Sequence, residues 1–347
     1  MLEKRAITGF TCGLIFCLLF GYGVVSSRQG NDLSYLPWLE AKHNVYIRKL
    51  PQDIYFAGEP VHFKTPSCYE RFERELKHNT RPNSSTRLLL RNVKIWLPEI
   101  EQIIRKNQLP DDFKYLAVAE SNLSNALSHK QAAGFWQFTE STAAELGLTI
   151  NSEVDERYHP LIASEAACRY FRKAYRVFGN WTSSAASYNR GIAGLQRAYA
   201  DQQVENFYDL ELNDETSRYM YKILALKDLI TTPQKYNMTL KIGNAAYIKK
   251  IKVDTSISNL VKFSKVMNIP YLTLREYNPW ILKNSLTIEK GKTYTILVPY
   301  DEIGITDPQH KPADSLKRVE NSTISGRIGI DTTRPITGPP VSRQIIF

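Results

Sequence analysis

The stretch Pro110–Ser121, "PDDFKYLAVAES", sets a glutamate at the end of a run as small and apolar as "LAVA". Its beginning reads as a helix start. Proline is tolerated in the first turn because its missing N–H would find no partner there, and Asp111 and Asp112 face the positive end of the helix dipole. If that helix reaches Ser121, then Phe113, Leu116, Ala117 and Glu120 stand at i, i+3, i+4 and i+7 and share one face. Glu120 therefore lies on the apolar side, where desolvation disfavours the carboxylate and raises its pKa. A carboxyl that keeps its proton near neutrality suits general acid work. The same pattern also fits a helix-end glutamate paired with a buried arginine or a backbone amide, and this stretch alone does not separate the two.

Downstream, "AAGFWQF" (132–138) combines residues with almost no side chain, which admit a ligand or a neighbouring backbone, with Trp136 as a flat apolar surface and Gln137 as a two-way hydrogen-bonding amide. That is sugar-binding chemistry, although a small-residue helix contact has the same composition. "SSAASYNRGIAG" (183–194) ends a small-residue helix in Tyr188, Asn189 and Gly191, which also reads as an ordinary C-cap. "DETSRYMYKILALKDL" (214–229) opens a helix with Tyr219 and Tyr221 in its first turns, a spacing equally suited to core packing.

Around these stretches the chain reads as helical from Tyr69 to Thr232. Phe72 and Leu76 are four apart in "YERFEREL", and Leu89, Val93, Trp96, Ile100 and Ile103 form one stripe, with Pro98 as a point where that helix could kink or split. Further helical patterns cover 139–146 and 163–178, each closed by a glycine, then 181–189 and 214–230. After Pro233 the character changes. "YNMTLKIG" and "AAYIKKIKVD" alternate like strands, two short helical patterns follow in "SNLVKFSKVMN" and "YLTLREYNPW", and "KTYTILVP" reads as a last strand, giving a small β-α-α-β unit. The expected fold class is mainly α, with a small α+β domain. The expected divisions are 1–28, an arm over 29–68, a helical domain over 69–232, a β-like linker over 233–250, the α+β unit over 251–300, and a Ser, Thr, Pro, Gly and Arg rich tail over 301–347 expected to be disordered.

Composition narrows the function classes. The chain has 347 residues, 43% hydrophobic and 23% charged, which is globular. Lys4 and Arg5 precede residues 7–27, which carry no charge and approach the roughly 20 residues that span a bilayer. Export is expected, with a cleaved signal and an uncleaved anchor both open; Cys12 and Cys17 follow Thr11 and Phe16, a poor context for lipidation. Beyond that segment only Cys68 and Cys168 remain, too few for a disulfide-built fold, and they read either as a pair or as two buried thiols. The six histidines show no metal-ligand spacing, so no metal and no cofactor are expected. A net charge of +10 fits nucleic acid, an acidic membrane or an anionic polymer, and export removes nucleic acid from that set.

Taken together and in order, four of these stretches resemble the motifs of the lysozyme-like lytic transglycosylases of bacterial cell walls. They are "ES" at Glu120–Ser121, "GFWQ" at Gly134–Gln137 where the family has GLWQ or GLMQ, "SYN" at Ser187–Asn189 where it has AYN, and the tyrosine motif at Tyr219. The loop "SHKQAAG", where the family often has SPAGAAG, adds His129 and Lys130 over the cleft and bears on glycan or peptide preference. The resemblance implies a lysozyme-like helical domain acting on peptidoglycan, with Glu120 as catalytic acid and then base. It implies substrate contacts for Ser121, Gly134, Trp136, Gln137, Tyr188, Asn189 and Tyr219, with Ser121 and Tyr219 orienting Glu120 or the sugar. Two-carboxylate hydrolysis finds no second acid here: Glu140 reads as helix-start charge, and Asp155 and Glu156 as solvated loop acids. The β-α-α-β unit resembles a LysM domain through "VDTSISNLVKFSKVMNI", "YNPWI" and "KGKTYTILVP", degraded by Val253 where glycine is usual. Glycan binding and mere packing both remain open for it.

Overall fold

A computed structural model describes residues 54–63, 65–238, 247–300 and the pair Gly329–Ile330. The segment expected as signal or anchor, most of the arm and most of the tail lie outside those residues. Among the described residues no helix is long and apolar enough to cross a membrane.

The described chain opens with a hairpin, β1 (Tyr55–Phe56) against β2 (Glu59–Pro60). Helices follow: α1 (Pro66–Asn79), α2 (Ser84–Lys106), α3 (Lys114–Ser121), α4 (Glu140–Glu145), α5 (Pro160–Phe178), α6 (Trp181–Arg190), α7 (Ile192–Gln202) and α8 (Asp214–Thr231). Helix α2 is set by Asn83, whose side chain accepts from the Thr86 N–H, and by Arg105 and Lys106 at the negative end of the dipole. It continues through Pro98 without dividing, and its buried stripe ends on Ile104 rather than Ile103. The expected start of α3 is modified. Asp111–Phe113 form a 3-10 turn that leads into the α-helix at Lys114. Asp112 has a second task there, accepting from the Ala57 N–H at 2.7 Å and pairing with Lys227, so the hairpin is pinned between α3 and α8.

Helix α8 lies against α1, α3 and α6, and α5 against α2 and α6. The "LAVA" residues of α3 are almost fully buried, as are Phe113, Phe135, Phe138, Trp136 and Phe171. Burying such side chains contributes about 1.5–3 kcal/mol for each large one, which makes this aromatic and aliphatic centre the main support of the helical part.

The α+β part consists of β3 (Tyr247–Val253), α9 (Leu260–Val266), α10 (Tyr271–Tyr277) and β4 (Tyr294–Tyr300), with β3 and β4 antiparallel in the register Ile251 to Ile296. A further strand, β5 (Gly329–Ile330), pairs with β3 through Ile251 to Ile330. It falls inside the tail expected to be disordered, and its two residues pair along the β3 edge. Asn278 of "YNPWI" is buried as a joint, donating to the carbonyls of Leu274 and Leu297 and accepting from the Leu297 N–H at 2.8 Å.

The two parts share a core. Val154, from the loop before α5, belongs to the hydrophobic cluster of the α+β part, with Tyr158 and Ile162 packed against it. Val154 forms a bridge to Ile281, the Asp155 N–H donates to Trp280 O at 2.9 Å, and the Leu282 N–H donates to Glu153 O at 2.7 Å. His159 is wholly buried at the same joint. Its Nδ1 accepts from the amides that open α5, so the Nε2 proton is left to donate to Thr295 O at 3.1 Å. Burial pushes its pKa down to about 4. Cys68 and Cys168 are both buried, free thiols.

Candidate active site

Helix α3 ends at Ser121 because Asn122 takes a left-handed conformation, and its C-terminal turn brings Glu120 to the surface of the buried "LAVA" face. Glu120 is half-buried. The Tyr219 hydroxyl, from the second turn of α8, donates to Glu120 Oε1 at 2.5 Å. Three turns of α8 bear on this carboxyl, because Glu215, Tyr219 and Lys222 are spaced to share one face. Lys222 Nζ donates to Ala119 O, one residue before Glu120. Burial pushes the Glu120 carboxyl above its usual range; the Tyr219 bond and the Lys222 ammonium oppose that rise, and the Glu215 carboxylate adds to it. Desolvation is the largest of these causes, so the group keeps its proton at a pH where an ordinary glutamate has lost it.

The "AAGFWQF" segment is a tight loop. Ala133 bridges to Phe138, and Gln131, Gly134 and Gln137 all have positive φ, at 59°, 76° and 50°. Gly134 is required on steric grounds, since a Cβ there would stand 1.9 Å from Arg157 O. Gln137 donates both amide protons to the main chain, to Ala126 O at 3.0 Å and Gly134 O at 2.9 Å, which leaves its amide oxygen as the acceptor end for a ligand. Ser121 does not bond Glu120; its hydroxyl donates to Phe135 O at 2.9 Å and ties α3 to the loop.

Two expectations need correction. The sequence pattern makes Trp136 a flat surface for sugar, but its ring is fully buried against Phe171 and Tyr188, and its Nε1 donates to Ser164 Oγ. The indole fills the core behind the loop, and the main-chain carbonyl of Trp136 accepts from the Tyr188 hydroxyl at 2.6 Å. The loop composition makes Asp155 and Glu156 solvated acids, yet both are buried. Asp155 forms a bidentate pair with Arg157, and Glu156 accepts from the Thr149 N–H at 2.7 Å. Glu140 is the exposed first-turn acid of α4.

Asn189 of α6 is held at both ends of its amide, donating to Glu215 at 3.1 Å and accepting from Thr216 Oγ1 at 2.8 Å. Tyr188 is packed among Trp136, Phe138, Tyr170 and Phe171, and burial pushes its hydroxyl pKa well up, as it does for Tyr219. Contacts thus link Glu120 to Tyr219 and, through the Glu215 carboxylate, to Asn189, while Tyr188 meets the loop of Gly134 and Gln137 at Trp136 O and Ser121 ties that loop to α3. Sequence reading missed Glu215 and Lys222, although their spacing from Tyr219 is a usable signal. It also missed Arg157, for which "DERY" offers no signal beyond loop charge. His129 and Lys130 are exposed on the loop before Gln131.

Comparison with known proteins bears on the two parts of the chain. Residues 99–210 match the family described as the transglycosylase SLT domain, and residues 249–302 match the soluble lytic transglycosylase C-terminal LysM-like domain. The chain is 24% identical over 254 residues to membrane-bound lytic murein transglycosylase D of Escherichia coli (strain K12), covering 70% of this chain and 52% of that protein. It is 28% identical over 100 residues to a putative tributyltin chloride resistance protein of Alteromonas sp. (strain M-1), covering 28% of this chain and 48% of that one. The chain therefore spans about half the length of the curated relatives it matches. At the level of domains these matches agree with the resemblance drawn from the four motifs: a match to the SLT domain is followed by a match to the LysM-like one.

Proposed function

We propose that this chain is a peptidoglycan lytic transglycosylase, a lyase that cleaves the β-1,4 bond between N-acetylmuramic acid and N-acetylglucosamine in cell-wall remodelling or turnover. The observation that carries the reading is one carboxyl, Glu120, with its pKa raised by burial and a phenol bonded to it. As an acid, Glu120 gives its proton to the glycosidic oxygen as the C1–O bond breaks. As the resulting carboxylate, it takes the proton of the muramoyl C6 hydroxyl while that oxygen bonds to C1. The product is a 1,6-anhydromuramic acid end, Glu120 regains its proton, and no water is consumed. A residue serving as acid and then base needs a pKa near the working pH, which the buried setting favours.

In this reading Tyr219 holds the Glu120 carboxyl, while Gln137, Tyr188 and Asn189 place the sugar and face the developing positive charge. Gly134 keeps the loop close, and Ser121 fastens it to α3. Trp136 supports the loop from behind. Residues 7–27 serve for export, as signal or anchor, and put the remainder outside the cytoplasm. The functional divisions follow as 69–232 for catalysis and 251–300 for the LysM-like unit.

A hydrolytic muramidase is the second reading, and Glu215 is what favours it, because this carboxylate acts on Glu120 and is held by Asn189 at the cleft rim. Digestion of purified peptidoglycan followed by mass spectrometry separates the readings. Wild type should release anhydro ends, and Glu120→Gln should lose at least roughly 1,000-fold, since acid and base roles fall together. Reducing ends from wild type would instead mean hydrolysis, and no fragments from either protein would mean a binding protein.

A further inference from the structure

The cleft loop is held by one residue from three sides. The Arg157 guanidinium donates to Gln131 O at 3.0 Å and to Phe138 O at 3.3 Å, the two ends of the loop. Its own carbonyl fills the space beside Gly134, in the middle. The rest of the fork pairs with Asp155, Nε to Oδ1 at 3.0 Å and Nη2 to Oδ2 at 2.7 Å, and both side chains are nearly fully buried. A loop with three positive-φ residues in seven positions, two of them not glycine, relaxes unless its surroundings hold it. Arg157 supplies that hold.

Asp155 in turn is fixed from the C-terminal side. Its N–H donates to Trp280 O, and the preceding Val154 is buried in the C-terminal cluster with Ile281. A second line of packing runs parallel to this one: Trp96 of α2 meets Tyr277 of α10 on one side and Phe135 of the loop on the other, with ring centroids 5.4 Å apart in both cases. Both routes end on the segment that carries Gly134 and Gln137. A module that only bound glycan would need neither.

We propose that Arg157 is a positioning residue of the cleft, and that the LysM-like unit acts through it, holding Asp155 so that the Gln131–Phe138 loop stays in register with Glu120. The unit is then a fixed part of the catalytic machinery. The consequence for turnover rests on the transglycosylase reading; the mechanical coupling does not.

Arg157→Lys keeps the charge and loses the fork, Asp155→Asn keeps the shape and loses the charge, and Ile281→Ala trims the C-terminal core where it meets Val154. Amide hydrogen exchange on the full chain is the primary readout because it needs no substrate. Arg157→Lys and Asp155→Asn should each lower protection of residues 131–138 at least about tenfold, with α1 unchanged. Ile281→Ala should loosen the same loop in the wild-type background and add little when combined with Arg157→Lys. Release of anhydro ends should fall roughly 10- to 100-fold through a raised KM, with the pH profile unmoved. Unchanged loop protection in Arg157→Lys overturns the proposal, and so does a loss spread evenly over the whole chain. If Ile281→Ala loosens only residues 247–300, the unit does not act through Arg157. Absence of anhydro product from wild type would count against the transglycosylase reading alone, with the exchange result still deciding the coupling.

Discussion

The joint between the two parts and the cleft both take ionisable groups out of water, and they are built differently. At the joint between helical and α+β parts, Asp155 has Arg157, His159 has a partner on each ring nitrogen, and Glu156 has the Thr149 amide. At the cleft, Glu120 has Tyr219 on one oxygen and remains half-buried, with desolvation outweighing its favourable partners. A satisfied buried group holds structure together. A carboxyl left short of partners at a cleft is set for a ligand to complete, because the low dielectric that makes it costly also strengthens whatever it meets.

Gly134→Ala tests the boundary between the two places and should have the largest effect. The added methyl meets Arg157 O at 1.9 Å in a left-handed backbone, so loop and clamp must separate, at more than about 4 kcal/mol. A thermal scan and peptidoglycan digestion should show both stability and activity lost. A variant with wild-type Tm would break the link between cleft and joint.

His159 probes the joint alone. Its folded pKa of about 4 lies below the ordinary 6.5, so the unfolded chain takes up a proton first as pH falls. The stabilising contribution is present above pH 6.5 and is lost between there and about pH 4, on the order of 3 kcal/mol in all. Urea unfolding of His159→Asn, which keeps a cap for α5, should show a flatter dependence over that window. Equal slopes would mean that another group governs the acid limb.

Tyr219→Phe probes the cleft alone. The lost bond favoured the carboxylate, so the Glu120 pKa should rise further and the pH–rate profile shift to higher pH, with a rate loss of about tenfold, or ~1.4 kcal/mol. A shift to lower pH would contradict the assigned role.

In stability, Glu120→Gln should produce the smallest change, and in the opposite direction. A raised pKa means that Glu120 contributes most below pH 4.5 and loses that contribution as pH rises through its folded value. At pH 7 the neutral amide should therefore stabilise the fold by about 1 kcal/mol, with the gain vanishing in acid. Lower stability at pH 7 would place Glu120 among the satisfied groups of the joint.

Much of the cleft is legible along the chain because its chemistry lies in short helical stretches. Glu120 is marked by its place on the apolar face of α3, and Tyr219 by its motif in α8. Trp136 shows the limit of such reading. An indole beside glycine looks like a sugar platform in one dimension, and only the packing of α5 and α6 turns it inward. Asp155 and Arg157 carry no periodic signal at all, since loop charges look alike whether solvated or buried.

The sequence by itself determined the helical class, the change to a β-α-α-β unit after Pro233, and the place of Glu120 on an apolar helix face. Each follows from local periodicity, turn chemistry and side-chain type, which act over a few residues. Only the tertiary structure decided that Tyr219 meets Glu120 across 99 positions, that Arg157 spans the loop, and that Val154 lies in the core of the C-terminal unit. Those contacts join segments far apart in the chain, and burial is settled by which surfaces pack together.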